Sequence, residues 1–385
     1  MRICRAALAG PLLVALGALP AAGQNRPRAR DLGVPFDGDP GPLNAITDVS
    51  GVEVGHRTLI AGSGALVVGR GPVRTGVTAI LPRGRGSSDP VFAGWFALNG
   101  NGEMTGTAWL DESGFLEGPV MITNTHSVGT VRDSVIAWRV QQGEPDSSGY
   151  WWSLPVVAET WDGYLNDVNG FHVKQSDVFA ALSGAGGGPV AEGSVGGGTG
   201  MICYELKGGI GTASRRLGPQ HGGHTVGVLV QCNCGLRDQL TIAGIPVGRE
   251  LNEPRVWSDA ETGSIIIVIA TDAPLLPHQL RRLARRAALG LARTGSISGN
   301  GSGDLFIAFS TANPGAASAA AAQLTMLSNE RIDPLFQATV EATEEAIVNA
   351  LVAAETMTGA NDRTVLALPH DRLRQILERH RRVAR

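Results

Sequence analysis

The run SIIIVIAT, residues 264–271, places six apolar residues after Ser264, five of them β-branched, and ends at a turn. Density of that kind predicts a strand buried on both faces. VRTGVTAILP (73–82), GPVMITNT (118–125), HTVGVLVQ (224–231) and LFIAFSTA (305–312) are bounded by turn residues and predict further short strands. PGPLNAITDVSGVEVGHRTL (40–59) is turn-rich and then alternating. In PLLPHQLRRLARRAALGLART (274–294), Leu276, Leu280, Leu283, Ala287 and Leu291 recur at helical spacing, and five arginines occupy the other faces. Gly295 follows as a C′ stop. An alanine-rich helix is expected over PGAASAAAAQLTML (314–327), an amphipathic one near PLFQATVEATEEAIVNALVAAETM (334–357), and a basic helix at the end of the chain. The irregular alternation points to mixed sheets covered by helices, not to a regular βαβ series.

With 385 residues, 43% of them apolar and 17% charged, the chain has a globular composition, sufficient for one large domain or two ordinary ones. Its 53 glycines cluster, which implies many tight turns and close backbone approaches. A net charge of −3 gives no reason to expect a nucleic-acid partner. Residues 1–23, MRICRAALAGPLLVALGALPAAG, read as a signal peptide, with Ala21 and Gly23 at −3 and −1 for a cut before Gln24. Export to a periplasm or secretion follows, with no membrane contact expected once the signal is removed. Cys203, Cys232 and Cys234 then remain, an odd number, and read as buried or idle thiols.

Several common signatures are missing: there is no G-x-S-x-G elbow, and GNGSGD lacks the lysine of a phosphate loop. SVGGGTGM lacks the rest of a dinucleotide fingerprint. His221 and His224 of HGGH have no carboxylate at ligand spacing and read as a surface turn, so no metal is expected. The arginines of 274–294 read as a solvated helix face.

Ser264 is left. On local sequence it is an ordinary strand-start serine, but a polar, linker-like stretch, residues 249–263, leads into it and Gly263 precedes it. The alternative is self-cleavage of the Gly263–Ser264 bond. The Ser264 hydroxyl would attack the preceding carbonyl, the acyl group would move to oxygen, and hydrolysis would leave serine as a new N-terminus. Glycine before the bond lets the backbone bend without a Cβ clash. The freed α-amine, with an ordinary pKa of about 8, could then take part in proton transfer beside its own hydroxyl.

With Ser264 in that role, nearly all of the chain after the signal resembles the β-aminopeptidases and the L-aminopeptidase/D-amidase-esterases, self-processing hydrolases with an N-terminal serine. The resemblance is carried by RDLGVPFDGDPGPLNAITDVSGVEVGH, ETWDGYLNDVNGFHV, GGTGMICYELKGGIGTASRRL, VGVLVQCNCG, TGSIIIVIATDAPL and GNGSGDLFIAFSTANP. It implies Ser264 as nucleophile, with Ser302 and Asp304 of GSGD beside it to relay a proton and orient the amine. Asn233 of QCNCG would stabilise the oxyanion, and Glu159 of AETWDG would hold the substrate's ammonium. Taken alone, these read as a hairpin tip, a strand-end turn residue and a surface acid. Trp161 could stack on a substrate side chain but has no phenol to offer. Tyr164 gains no role from proximity, and Cys234 stands where an aromatic is expected.

The implied fold is α/β: a four-layer αββα sandwich, two mixed sheets between helices, in one self-cleaved domain with chains 24–263 and 264–385. The implied function is an aminopeptidase acting on short peptides or aminoacyl amides through an acyl-enzyme, without metal or organic cofactor, as a homo-oligomer of processed heterodimers. Three rivals are an uncleaved binding protein of the same fold, an acyltransferase related to ornithine acetyltransferase, and a metal-dependent aminopeptidase.

Overall fold

A computed structural model describes residues 26–142, 152–256 and 263–384. The expected signal peptide, residues 1–23, lies outside the described residues, as does 257–262 of the segment before Ser264. In chain order the elements are β1 (Glu53–Ala61), β2 (Val73–Leu81), β3 (Val91–Gly100), α1 (Thr107–Ser113), β4 (Phe115–Leu116), β5 (Val120–Asn124), α2 (Val128–Gln142), β6 (Val156–Thr160), α3 (Gln175–Ser183), β7 (Ile202–Cys203), β8 (Leu206–Lys207), β9 (Gly209–Arg216), β10 (Thr225–Asn233), β11 (Ser264–Thr271), α4 (Pro277–Arg293), β12 (Gly303–Ser310), α5 (Asp333–Ala353), β13 (Met357–Thr358), β14 (Thr364–Val365) and α6 (His370–Arg379), with short 3₁₀ turns between them.

Two mixed sheets dominate. One has the order β1-β2-β5-β6 and the other β4-β3-β12-β11-β10-β9. Only β5–β6 and β11–β12 run parallel in these sheets. Strand alternation sorts the side chains into layers. In β11, Ile266, Val268 and Ala270 face the other sheet, meeting Ile80, Val120, Ile122 and Val156. Ile265, Ile267 and Ile269 face the opposite way, onto Leu280, Leu283 and Ala287 of α4 and residues of α5. These six β11 side chains are fully buried, which is why no polar residue interrupts the run; each Ile or Val contributes about 1.5–3 kcal/mol by leaving water. The outer face of the first sheet carries Val77, Ala79, Met121 and Val157, covered by Val131 and Val135 of α2 and Val178 and Leu182 of α3. The layers are therefore helix, sheet, sheet, helix.

The strands predicted from the apolar runs appear as β2, β5, β10, β11 and β12. Helix α4 opens with Pro277 in its first turn and stops before Gly295, whose φ of +98° is left-handed. The predicted alanine-rich helix does not form: residues 314–327 are turns and extended chain, almost wholly exposed. Alanine favours helix, but this stretch has no periodic apolar face to dock, and a helix that short gains too little in water to persist. The segment before Ser264 is also less loose than its polarity implied. Leu251 is buried, the Arg237 guanidinium donates to the Glu253 carbonyl (3.2 Å), and Val256 N–H donates to Glu205 (3.0 Å). Among the described residues no helix is long and apolar enough to cross a membrane.

Candidate active site

Strand pairing brings the predicted site together. Asn233, the last residue of β10, lies opposite Ser264, the first of β11. On the other side of β11, Ile265 lies opposite Asp304, the second residue of β12. Ser264 shares the alternation of Ile266 and Val268, so its side chain points into the space between the sheets, and Asn233 does the same from the Leu229–Gln231 face. Two residues before Asn233, the Gln231 amide crosses that space and donates to the Thr123 carbonyl (3.0 Å) and the Thr160 hydroxyl (2.8 Å), pinning the sheets together beneath the site.

Ser264 is 5% exposed, and its hydroxyl accepts from Gly303 N–H at 3.0 Å. That approach needs glycine: a Cβ at 303 would sit 2.4 Å from the Asn101 carbonyl oxygen. Gly263 is under the same constraint, since a Cβ there would lie 1.8 Å from the Asn233 carbonyl oxygen. The side-chain amide of Asn233 is held at both ends, accepting from Ile202 N–H (2.6 Å) and donating to the Trp161 carbonyl (2.9 Å). These bonds fix which end is the donor and leave a second amide hydrogen.

Ser302 and Asp304 are fully buried, and the serine hydroxyl donates to Asp304 Oδ1 at 2.6 Å. Burial pushes the Asp304 carboxyl above its ordinary range, against the pull of that bond. The loop bearing Ser302 is tied to the end of β3 by Asn99, which donates to the Gly299 carbonyl (2.6 Å), and by Asn101, which donates to that of Gly301 (2.8 Å).

Glu159, near the end of β6, is buried and not the surface acid its local sequence suggests. It accepts from Glu103 N–H (3.0 Å) and from the Thr125 hydroxyl. Burial raises its pKa, partly offset by those bonds. A cavity of about 310 Å³ is lined by Glu159, Trp161, Ser264, Asn101, Thr125 and Gly301. The predicted hydroxyl, carboxylate and indole therefore share one opening, with Asn233 and the Ser302–Asp304 pair attached to it through strand pairing and hydrogen bonds. Chemically, it offers a nucleophilic oxygen, an amide donor, a proton-holding pair and an acid that can meet a cation. Asn101 and Thr125 carried no signal in the sequence, because each arrives from a strand end distant along the chain.

Tyr164 does not line the cavity; it packs with Leu165, Ile202 and Val365 beneath the Arg363 guanidinium. A larger cavity of about 470 Å³, beside Arg83, Arg85 and Arg139, contains none of the site residues. Gly196–Gly198 is a buried turn between strands, and His221 and His224 lie on a short surface turn. The α4 arginines are partly exposed but engaged: Arg281 pairs with Asp111, Arg293 with Glu344, and Arg282 and Arg286 lie over the Phe336 ring.

Two facing mixed sheets inside helices, with a serine opening a central strand, define a hydrolase of the N-terminal-nucleophile type of fold. The structure of the L-aminopeptidase D-Ala-esterase/amidase of Ochrobactrum anthropi, described as a variant of that fold, superposes with a TM-score of 0.87 at 50% identity, over 93% of this chain and all of that one. A β-aminopeptidase from a Burkholderia species gives 0.85 at 49% identity, over 91% and 98%. The β-peptidyl aminopeptidase BapA of Sphingosinicella microcystinivorans is 54% identical over 98% of both chains. Residues 44–365 match the model of peptidase family S58. The chain belongs to peptidase family S58 and is an aminopeptidase of that family.

Proposed function

We propose that the chain cleaves itself between Gly263 and Ser264, and that the freed Ser264 attacks the first peptide, amide or ester bond of short substrates. The carrying observation is that Ser264, Glu159 and Trp161 line the same cavity. Glu159 holds the substrate's ammonium by a charge-assisted bond, which selects a free N-terminus and sets the register of attack. Trp161 flanks the first side chain. The Ser264 hydroxyl adds to the carbonyl carbon, and the second amide hydrogen of Asn233 meets the oxyanion. The α-amine of Ser264, oriented by Ser302 and Asp304, takes the hydroxyl proton and returns it to the leaving amine; water then releases the acyl group. The names of the relatives at 54% and 49% identity favour β-amino residues among the substrates.

In the same reading residues 1–23 are removed on export to a periplasm or the medium, chains 24–263 and 264–385 stay joined by their shared sheet, and processed pairs assemble as a homo-oligomer. The test is the intact mass of denatured protein, wild type beside Ser264→Ala. Two wild-type chains, the smaller starting at Ser264, with one mutant chain, support the reading. A single wild-type chain with no hydrolysis of a β-alanyl amide overturns it in favour of a binding protein of this fold.

A further inference from the structure

On the helix-facing side of β10, behind the site, lie three sulfurs that the reaction does not use. Cys232 and Cys234 flank Asn233 and point away from it by strand alternation, and Cys203 of β7 meets them. All three are buried to 1% exposure or less. The Sγ atoms of Cys203 and Cys232 are 2.6 Å apart, while Cys234 lies 4.0 Å from the first and 3.8 Å from the second. Heavy atoms that are not bonded rest about 3.5–4.0 Å apart, a range the two longer separations satisfy. The Cys203–Cys232 pair falls far inside it.

Two chemistries bring buried thiols together. A metal held by thiolates at about 2.3 Å keeps its sulfurs roughly 3.8 Å apart in tetrahedral geometry, so the Cys203–Cys232 pair would have to open by more than 1 Å. A disulfide draws them to about 2.05 Å, and the pair is already most of the way there. The backbone makes room for this approach, because position 208 is glycine: a Cβ there would press within 2.9 Å of the Cys203 Cβ. The nearby cation, Lys207, is spent on carbonyls, donating to Gly198, Met201 and Gly208 at 2.8–3.3 Å. Its charge also acts on Cys203, one cation against the three thiolates a metal site would hold.

We infer that Cys203 and Cys232 form a disulfide in the mature protein, leaving Cys234 as the single free thiol. All three are free thiols in the structure, and the odd count read from the sequence fits one bridge and one remainder. The cluster is sealed once folded, so the bridge forms during folding by exchange with a small disulfide. One cysteine thiolate attacks a sulfur of that disulfide and expels a thiol. The second thiolate then displaces the other half, so the two cysteines lose two protons and two electrons and the small disulfide becomes two thiols. Cys232 and Cys234, one residue apart, are poorly placed to bridge each other without straining the backbone.

The bridge would tie the residue after Ile202 to the residue before Asn233, the two groups joined by the 2.6 Å hydrogen bond that orients the Asn233 amide. It does not link the two proposed chains, since all three cysteines precede residue 263, so the test is independent of self-cleavage. Protein lacking residues 1–23 is folded with glutathione disulfide, denatured in acid, alkylated with iodoacetamide at neutral pH, and mapped before and after reduction. The expected result is one adduct before reduction, on Cys234, and three after, with the unreduced fragment lighter by two hydrogens. Cys234→Ser should keep the bridge and take no adduct before reduction. Three adducts before reduction, a bridge mapped to Cys234, or one bound zinc per chain would each overturn the assignment.

Discussion

Gly263→Ala tests the site through a single added carbon. That Cβ would fall 1.8 Å from the Asn233 carbonyl oxygen, 2.7 Å from its carbon and 3.0 Å from the Cys234 Cα, where ordinary contact begins at 3.4 Å. All three neighbours are backbone, so no side chain can swing aside; residue 263 and the end of β10 must separate by about 1.6 Å. Overpacking of this kind costs about 1–3 kcal/mol, tolerable in a sheet held by the whole of β11. The carbonyl to be attacked moves with residue 263, however, and about 1 Å of misplacement at a reacting centre costs roughly 10²-fold in rate. The expected outcome is a folded protein whose self-cleavage is slowed about 100-fold or more. The assay is refolding from denaturant, with intact mass followed over time and circular dichroism confirming the fold. Gly263→Ala protein that is folded and splits at the wild-type rate would refute the reasoning.

Asn233→Ala should lower kcat by about 10²–10³ and also cost roughly 1–3 kcal/mol in urea unfolding, since Ile202 N–H and the Trp161 carbonyl lose their partner; unchanged kcat would remove Asn233 from the oxyanion. Ser302→Ala, measured on chain already processed, should reduce kcat by about 10²-fold or more with little change in KM, because the buried Asp304 loses its 2.6 Å donor; a change in KM alone would refute the proton-relay role. Glu159 must be ionised to hold an ammonium, and burial raises its pKa. In free enzyme the acid limb of kcat/KM should therefore fall at a pH above the ordinary glutamate value, and Glu159→Gln should abolish the limb and raise KM; a limb that survives the substitution would assign it elsewhere.

What the sequence could disclose followed from locality. SIIIVIAT and the 274–294 helix carry their burial in their own periodicity, and Gly295 marks its own stop. The alanine stretch misled because propensity alone was available there, with no docking face to test it. Glu159 reads as a surface acid because nothing nearby says that the turn before α1 and Thr125 will close over it. Asn101 and Thr125 were invisible for the same reason: the cavity joins the ends of β3, β5, β6 and β11, and pairing across such distances leaves no local mark. The cysteine cluster was half visible in CNC, while Cys203 joins it only through the β7–β8 hairpin.

β11 lies inside the six-stranded sheet, hydrogen-bonded on one side to β10, which precedes residue 263, and on the other to β12, which follows it. The proposed break at its first residue would therefore give the folded molecule no seam along which to part. Its consequence lies in the return journey. The intact chain brings β10 and β11 together as an intramolecular event, whereas the separated pieces must find each other by diffusion while each carries half of an apolar core. Unfolding of the cut protein should become irreversible where that of the Ser264→Ala chain is reversible, so cleavage would turn an equilibrium property into a matter of history.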